Sequence, residues 1–554
     1  MAREKKDHIT PVFGPGSYRI VFFLFLVALA AFVAGLFVHV TRDASKYAAI
    51  AREISETGDF INLKINGEPY IQKPPLLFWL SALSFSLFGI SDFAFKLPVL
   101  LFSFAGIFFT YKLGKLVYGR DTGFIAAVLL GSSQIYFIYN MDIHTDTLLQ
   151  TFVTFSLWQL YGFLRTGRNR HILLGFAGIG MAMLTKGPVG VVVPACAVAG
   201  YLVFTGQIRK MTDVRWYAGI ALAIVMILPA LAGLYNQFGW EGIRFYFWDN
   251  NFGRISGNMV SRNTNFLFYV CNLFYLFIPW VMLLFVSVVL QFRQLFQRRM
   301  KPRDWYVFSG IWFLFVLLSA SHGKLPNYLF MVIPLFALLI ARYVRIALAR
   351  RDGRLYRTFQ GIQNVVAALT GVVVLLLVFW LYPVREIWKM ALLASMIFVA
   401  VWPFLKTTRK PGRLLIPSLS MVITLNFFIN QHVAPQIFSD QAPVKAAAIF
   451  NREAMPGEVL GNYNYPSHEL FFYSKVPAIQ IFNDVELLER MKKPGNWILT
   501  NGETVDRNPG LPYPGMEIIP LKHVWINKLS FKYLNPGTRE SALDTLYLLR
   551  SGHP

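Results

Sequence analysis

Residues 41–75, TRDASKYAAIAREISETGDFINLKINGEPYIQKPP, interrupt a chain otherwise rich in apolar runs. Asp43 offers a carboxylate that could take a proton or orient a reacting group. Lys73 offers a compact cation for a phosphate or pyrophosphate. The two prolines after Lys73 stiffen the backbone that aims it; a lysine snorkelling beside a helix start is the plainer alternative. Further along, Asp142, His144 and Asp146 recur at a spacing of two. With Asp43, the carboxylates Asp142 and Asp146 could hold a divalent metal ion. They could equally cap a helix, and Asp146 suits the N-terminus of the apolar segment that follows. Lys186 in LTKGP and Lys324 in SHGKLPNY adjoin long apolar runs, where ionisable groups are costly and point to function. Arg244, Arg254 and Arg262 lie among Trp240, Phe245, Tyr246, Phe247 and Trp248. That mixture is either an interfacial anchoring belt or a surface for an amphiphile with a phosphate head and an apolar tail.

These residues need elements to position them. DASKYAAIAREISETGD has an apolar stripe of Ala44, Tyr47, Ala48, Ala51 and Ile54, with charged residues opposite. The pattern predicts an amphipathic helix lying on the membrane surface, ended by Gly58 and holding Asp43 at the membrane lip. Elsewhere, hydrophobic residues are 55% of the chain and charged residues only 15%, which excludes an ordinary soluble protein. Runs near the length of a bilayer crossing recur. Spans are expected near 18–40, 94–113, 122–139, 145–163, 172–186, 187–205, 216–236, 266–292, 304–321, 327–345, 361–382, 388–405 and 414–430, about thirteen in all. Residues 76–90 read as a short helix packed at the outer face.

The net charge of +24 invites a nucleic-acid reading, but the basic residues cluster between spans, near 112–120, 165–170, 209–215, 293–303, 342–354 and 406–413. That is the positive-inside pattern. It places the N-terminus in the cytoplasm and sends 41–75, 140–146, 185–188, 237–265 and 321–328 to the outer face. Cys196 and Cys271 both fall in apolar runs, read as core positions and form no disulfide framework or metal motif. Residues 1–430 read as the membrane domain, with 41–75 and juxtamembrane helices to about 90 as its first outer loop. Residues 431–554 read as a small α/β domain outside the membrane, with VLGNYNY, PAIQIFND, NWILTNG and PLKHVWINKLSF as strand segments. No nucleotide fingerprint or HExxH site occurs.

The order D-x-x-x-Y-A-x-I-A-R-E, G-D, G-x-P-Y-x-x-K-P-P-L-x-x-W, D-T-L-L, L-T-K-G-P and G-K-L-P-x-Y resembles the bacterial ArnT-like membrane glycosyltransferases, within the protein O-mannosyltransferase superfamily. The resemblance covers at least residues 40–345. It implies a polytopic all-α GT-C fold, an undecaprenyl-phosphate sugar donor, no nucleotide at this step, and transfer on the periplasmic side of a bacterial inner membrane. It makes Asp43 the essential first-loop aspartate and Lys73 the donor-phosphate lysine. Asp146, or Asp142, becomes the second acidic position, and Lys324 with Tyr328 the late motif. Tyr70, Gln72, Lys186, Arg244 and Arg254 join the expected substrate-binding set. The aminoarabinose branch usually carries Glu before its Lys-Pro, where this chain has Gln72, so another sugar or acceptor stays open.

The expected reaction is a single inverting displacement from a polyprenyl-phosphate sugar to a lipid or glycan acceptor in the envelope, foremost lipid A. The chain is expected to work as a monomer among membrane lipids, without nucleic acid. No cofactor is required by the pattern, and a divalent metal ion is the one candidate. Transfer to protein or another envelope glycan, and transport of a lipid-linked sugar, are the alternatives. The absence of a visible repeat and the one-sided polar residues weigh against transport.

Overall fold

The computed structural model describes residues 15–250, 253, 263–349, 353–405, 410–465, 468–508, 511, 515–526 and 529–552. Two helices open the chain, α1 (Pro15–Gly35) and α2 (Arg42–Thr57). Thr41 caps α2 by accepting from the Ala44 N–H at 3.4 Å. Gly58 ends it at φ 74°, in the left-handed region, with its N–H on the Ile54 carbonyl. A two-stranded hairpin, β1 (Lys64–Ile65) with β2 (Glu68–Pro69), then returns the chain to α3 (Leu76–Phe88). Its 13 residues rise about 20 Å, too little for a hydrocarbon core of about 30 Å.

α3 packs on both α2 and α4 (Asp92–Tyr118). The stripe Ala44, Ala48, Ala51 and Ile54 of α2 is buried. A helix lying on the bilayer surface was the expectation; instead protein covers it, with α3 against it and the 469–473 helix of the C-terminal domain also packed on it. Arg52 makes that second contact. Its guanidinium is buried and donates to the carbonyls of Phe472 (3.1 Å), Phe471 and Ser474, the unpaired acceptors of that helix's end.

The membrane helices continue with α5 (Arg120–Gly131), α6 (Gln134–Met141), α7 (Asp146–Thr166), α8 (Asn169–Lys186), α9 (Val189–Phe204) and α10 (Arg215–Arg244). Helices at 268–276, 281–296, 302–320, 333–349, 354–376, 387–405 and 410–428 follow. Helix therefore forms at every expected span, but fewer than the expected thirteen helices have the length and apolarity of a bilayer crossing. Among the described residues, six helices are long and apolar enough to cross a bilayer, or seven if α5 and α6, bent by 49°, act as one. The reasons are local. α9 and 281–296 have 16 residues each, about 24 Å of rise. The expected span at 266–292 is broken into two helices. α7 buries Thr147, Gln150, Thr151, Thr154 and Gln159 against its neighbours, which lowers its hydropathy while keeping it in the core of the bundle. The two cysteines are free, and Cys271 is exposed, not in the core as expected.

The helical path runs on to Ser439, and the α/β domain begins with the helix Ala442–Glu453. Its strands β3 (Val459–Tyr463), β4 (Ile479–Ile481), β5 (Asn496–Asn501), β6 (Glu517–His523) and β7 (Asp544–Arg550) form one sheet in the order β4-β3-β5-β7-β6. β3 pairs in parallel with β4 and β5, whereas β7 runs antiparallel to β5 and β6. Trp497, Leu499, Leu546 and Leu548 fill one core beneath it, and Ala49 of α2 belongs to the same cluster. The domain is thus seated on the first loop. Tyr473 reinforces the seat by donating its hydroxyl to Asp92 at the start of α4, at 2.5 Å.

Candidate active site

Where the first loop, the α6–α7 turn, residues 325–328 and the α/β domain meet, they enclose a cavity of about 1420 Å³. The beginning of α2 presents Arg42, Asp43, Lys46 and Tyr47 to it, and the segment before α3 presents Gln72 and Lys73. Asp43 is exposed. Lys46 donates to the Gln72 amide oxygen at 2.8 Å and lies 5.1 Å from the Tyr70 ring centre. Burial pulls its ammonium below the usual lysine value, and the Asp43 carboxylate partly restores it. Asn250 fixes the Gln72 backbone by donating to its carbonyl at 3.2 Å.

The acidic turn forms the opposite side. Asp142, His144, Thr145 and Asp146 all line the cavity. Asp146 is the first residue of α7 and is buried. Lys186, at the end of α8, approaches its Oδ1 at 2.5 Å, and Asn327 donates to its Oδ2 at 2.7 Å. The Lys186 ammonium also sits 4.6 Å from the centre of the Tyr328 ring. Asp142 accepts from the Thr41 hydroxyl, and His144 Nε2 is 3.2 Å from its other oxygen. This Thr41 bond links the cap of α2 to the acidic turn.

The donor set tests the metal expectation for Asp43, Asp142 and Asp146. Among the described residues no cluster of three or more His, Cys, Asp or Glu side chains is placed to hold an ion. Both oxygens of Asp146 face protein nitrogens, one of them an ammonium, and both oxygens of Asp142 already have partners. This arrangement does not fit a divalent cation shared by the two carboxylates.

A second space adjoins the first. It is a groove of about 320 Å³ lined by Pro188, Val189, Val192, Phe247, Leu314, Leu317, Leu318 and Met331, and also by Lys73, Lys186, Asn250 and Tyr328. Lys73 and Tyr328 line both spaces. An apolar slot therefore opens beside two lysines onto a polar chamber.

Of the expected residues, Asp43, Gln72, Lys73, Asp142, Asp146 and Tyr328 come together on the chamber, and Lys186 stands at its junction with the groove. Tyr70 is buried beneath Lys46, with its ring against Phe78. Lys324 is buried too, but its ammonium turns to the Asn265 carbonyl at 2.7 Å; its neighbours Leu325 to Tyr328 supply the wall instead. Arg244 points away, largely exposed and 3.5 Å from Asp249. Arg254 and Arg262 lie outside the described residues. Sequence reasoning missed Asn327, the unspecified position inside G-K-L-P-x-Y, although an amide flanked by two named motif residues was a signal. It also missed Asn464, Tyr465, His468, Gln480 and Phe482 of the α/β domain, which no local motif marks.

The family profile described as dolichyl-phosphate-mannose-protein mannosyltransferase matches residues 72–232. An undecaprenyl phosphate-alpha-4-amino-4-deoxy-L-arabinose arabinosyl transferase of Yersinia enterocolitica is 26% identical over 312 residues, 54% of each chain. One from Pseudomonas fluorescens (strain Pf0-1) is 24% identical over 465 residues, 80% of this chain and 78% of the relative. The chain spans only 54–59% of the length of the first curated relatives it matches. In three dimensions, the crystal structure of ArnT from Cupriavidus metallidurans bound to undecaprenyl phosphate superposes with a TM-score of 0.71 at 17% identity, covering 96% of this chain and 99% of that one.

Proposed function

We propose that this chain, which shares the fold of the ArnT crystal structure bound to undecaprenyl phosphate and resembles its relatives in sequence, transfers a sugar from a polyprenyl-phosphate donor to an acceptor of the cell envelope. The observation that carries the reading is the junction of chamber and groove at Lys73 and Tyr328. An amphiphile with a charged head and an isoprenoid tail matches that shape, with the phosphate at Lys73 and the first tail units in the groove. Lys73 lines both spaces, which places its ammonium to answer charge growing on the departing phosphate. Asp43, exposed on the same chamber, is the carboxylate available to the acceptor.

The acceptor oxygen attacks the anomeric carbon, the carbon–oxygen bond to the lipid phosphate breaks, and the anomeric centre inverts. A hydroxyl acceptor gives its proton to Asp43; a phosphate acceptor is already anionic and needs Asp43 only for orientation. The distribution of basic residues along the helices supports one orientation in the membrane. α4 runs from Asp92, which is bonded to Tyr473 of the α/β domain, to Lys112 and Lys115, and the helical run 326–349 from the chamber wall at 325–328 to Arg342 and Arg345. Each carries basic residues at the end remote from the chamber, which supports a cytoplasmic N-terminus and a periplasmic chamber beneath the α/β domain, in a bacterial inner membrane.

Lipid A is the first candidate acceptor, and 4-amino-4-deoxy-L-arabinose one candidate sugar. The uncharged Gln72 amide, held by Lys46, gives no counter-charge to an amino sugar, which also supports a neutral one. The test is transfer from radiolabelled undecaprenyl-phosphate sugars by the purified full chain. Lys73→Ala is expected to lower the rate about 100- to 1,000-fold. Near-normal transfer by that variant would overturn the assignment, and mass spectrometry of lipid A with and without the gene identifies the acceptor.

A further inference from the structure

The floor and sides of the chamber are charged, but its roof is not. The α/β domain lines it with Asn464, Tyr465, His468, Gln480 and Phe482. We propose that this edge of the sheet is a subsite for a hexopyranose ring of the acceptor, with Phe482 as its platform. The inference rests on the reading that the chamber receives a glycan-bearing acceptor.

Phe482 is 80% exposed although it belongs to a folded domain. A single exposed apolar side chain is ordinary on a protein surface; this one stands over a large polar cavity, among groups that donate and accept hydrogen bonds. It follows β4, the edge strand of the sheet, and is two residues from Gln480, so both point to one face. The backbone beneath it is fixed. The Phe482 N–H lies 3.3 Å from Glu486 Oε2, and Asn483 caps the next helix by accepting from the Glu486 N–H at 2.8 Å. Gln480 is held by donating to the Asn462 carbonyl at 3.0 Å. Asn464 is exposed at φ 52°, a left-handed conformation that turns it out at the end of β3, and its amide donates to Thr504 at 3.1 Å.

A further group of this wall, His468, keeps a buried Nδ1 without a hydrogen-bond partner among the described residues. Its imidazole is depressed to about 4, first by burial and then by Lys46 and Arg42 across the chamber, so this wall bears no charge at neutral pH. A pyranose ring has an apolar C–H face and a rim of hydroxyls. An aromatic face covers the first, and neutral amides and an imidazole bond the second. A phosphate would instead seek Arg42 and Lys46 on the facing wall.

The experiment uses the full chain in lipid nanodiscs and two probes, each titrated separately. N,N′-diacetylchitobiose, a neutral hexosamine disaccharide, is followed by saturation-transfer NMR, and undecaprenyl phosphate by equilibrium binding. Phe482→Ala is expected to weaken disaccharide binding about fivefold to tenfold, Phe482→Trp to retain it, and neither to change undecaprenyl phosphate affinity. Because Phe482 is exposed, both variants keep the wild-type melting temperature. Failure of the wild type to bind the disaccharide, or equal binding by Phe482→Ala, overturns the subsite. Failure of the wild type to bind undecaprenyl phosphate overturns the donor reading instead and leaves the disaccharide result to be read by itself.

Discussion

Lys186 Nζ lies 2.5 Å from Asp146 Oδ1, with both side chains at least nine-tenths buried at the junction of the polar chamber and the apolar groove. The pair joins the end of α8 to the start of α7, and Asn327 adds a third element through the other carboxylate oxygen. It keeps two charges at the site without leaving either unpaired.

Removing one partner strands the other. Asp146→Ala or Lys186→Ala is expected to destabilise the protein by about 3–5 kcal/mol, because an uncompensated charge remains buried. The double variant is expected to lose much less than the sum of the two. Thermal unfolding of the four proteins in one detergent checks this as a double-mutant cycle. Additive losses would mean that the pair is not coupled.

Asp142 and His144 give the same turn a pH dependence. Burial lowers the imidazole, but the adjacent Asp142 carboxylate outweighs it and holds His144 above its ordinary 6.5. Burial raises Asp142, yet His144 and the Thr41 hydroxyl draw it below 3.8. The histidine contribution is complete below 6.5 and is lost as pH rises through its higher folded value. The carboxylate contribution is complete above 3.8 and is lost as pH falls through its lower folded value. The pair therefore stabilises most between those two values. Replacing His144 by Ala is expected to flatten the decline in unfolding midpoint above pH 6.5, measured by scanning fluorimetry across a pH series.

Much of this was legible in residue order. Asp43, Lys73, Asp146 and Tyr328 carry their own local context of helix start, double proline and motif, and they line one chamber. Four of the five strands of the α/β sheet were visible as alternating runs bounded by Asn, Gly and Pro. β7 was missed, although Asn535-Pro536-Gly537 precedes and Ser551-Gly552 follows its apolar run LYLL. The span count failed for a different reason. Apolar periodicity reports that a helix is buried, not whether lipid or protein buries it, and α7 is the example, with its polar stripe packed inside the bundle. The roof of the chamber was not legible at all. Phe482 acts at a distance of some 400 residues from Lys73 in the chain, and only the seating of the domain through Arg52 and Tyr473 brings them to one cavity.

The donor atoms around Asp142 and Asp146 bear on metal dependence. An ammonium and an amide occupy Asp146, and a hydroxyl and an imidazole occupy Asp142. A divalent ion bridging them would have to displace Lys186 from a buried site. Transfer is accordingly expected to persist after exhaustive treatment with a chelator, assayed with labelled donor. A complete loss restored by one specific cation would require a different arrangement of these side chains during turnover.

Asp43 separates the two kinds of acceptor. It is exposed on the chamber, near Lys46 and on the same helix turn that Thr41 caps. As a general base for a hydroxyl it would contribute about 100- to 10,000-fold, and Asp43→Asn would lower kcat by that factor while leaving acceptor KM nearly unchanged. With an anionic phosphate acceptor no proton needs removal. The same substitution would then act mainly through orientation, with a smaller loss in kcat and a change in KM. Steady-state kinetics with a hydroxyl acceptor and a phosphate acceptor, each against wild type and Asp43→Asn, distinguish these outcomes. Near-normal rates with both would remove Asp43 from the chemistry, despite its place at the mouth of the chamber.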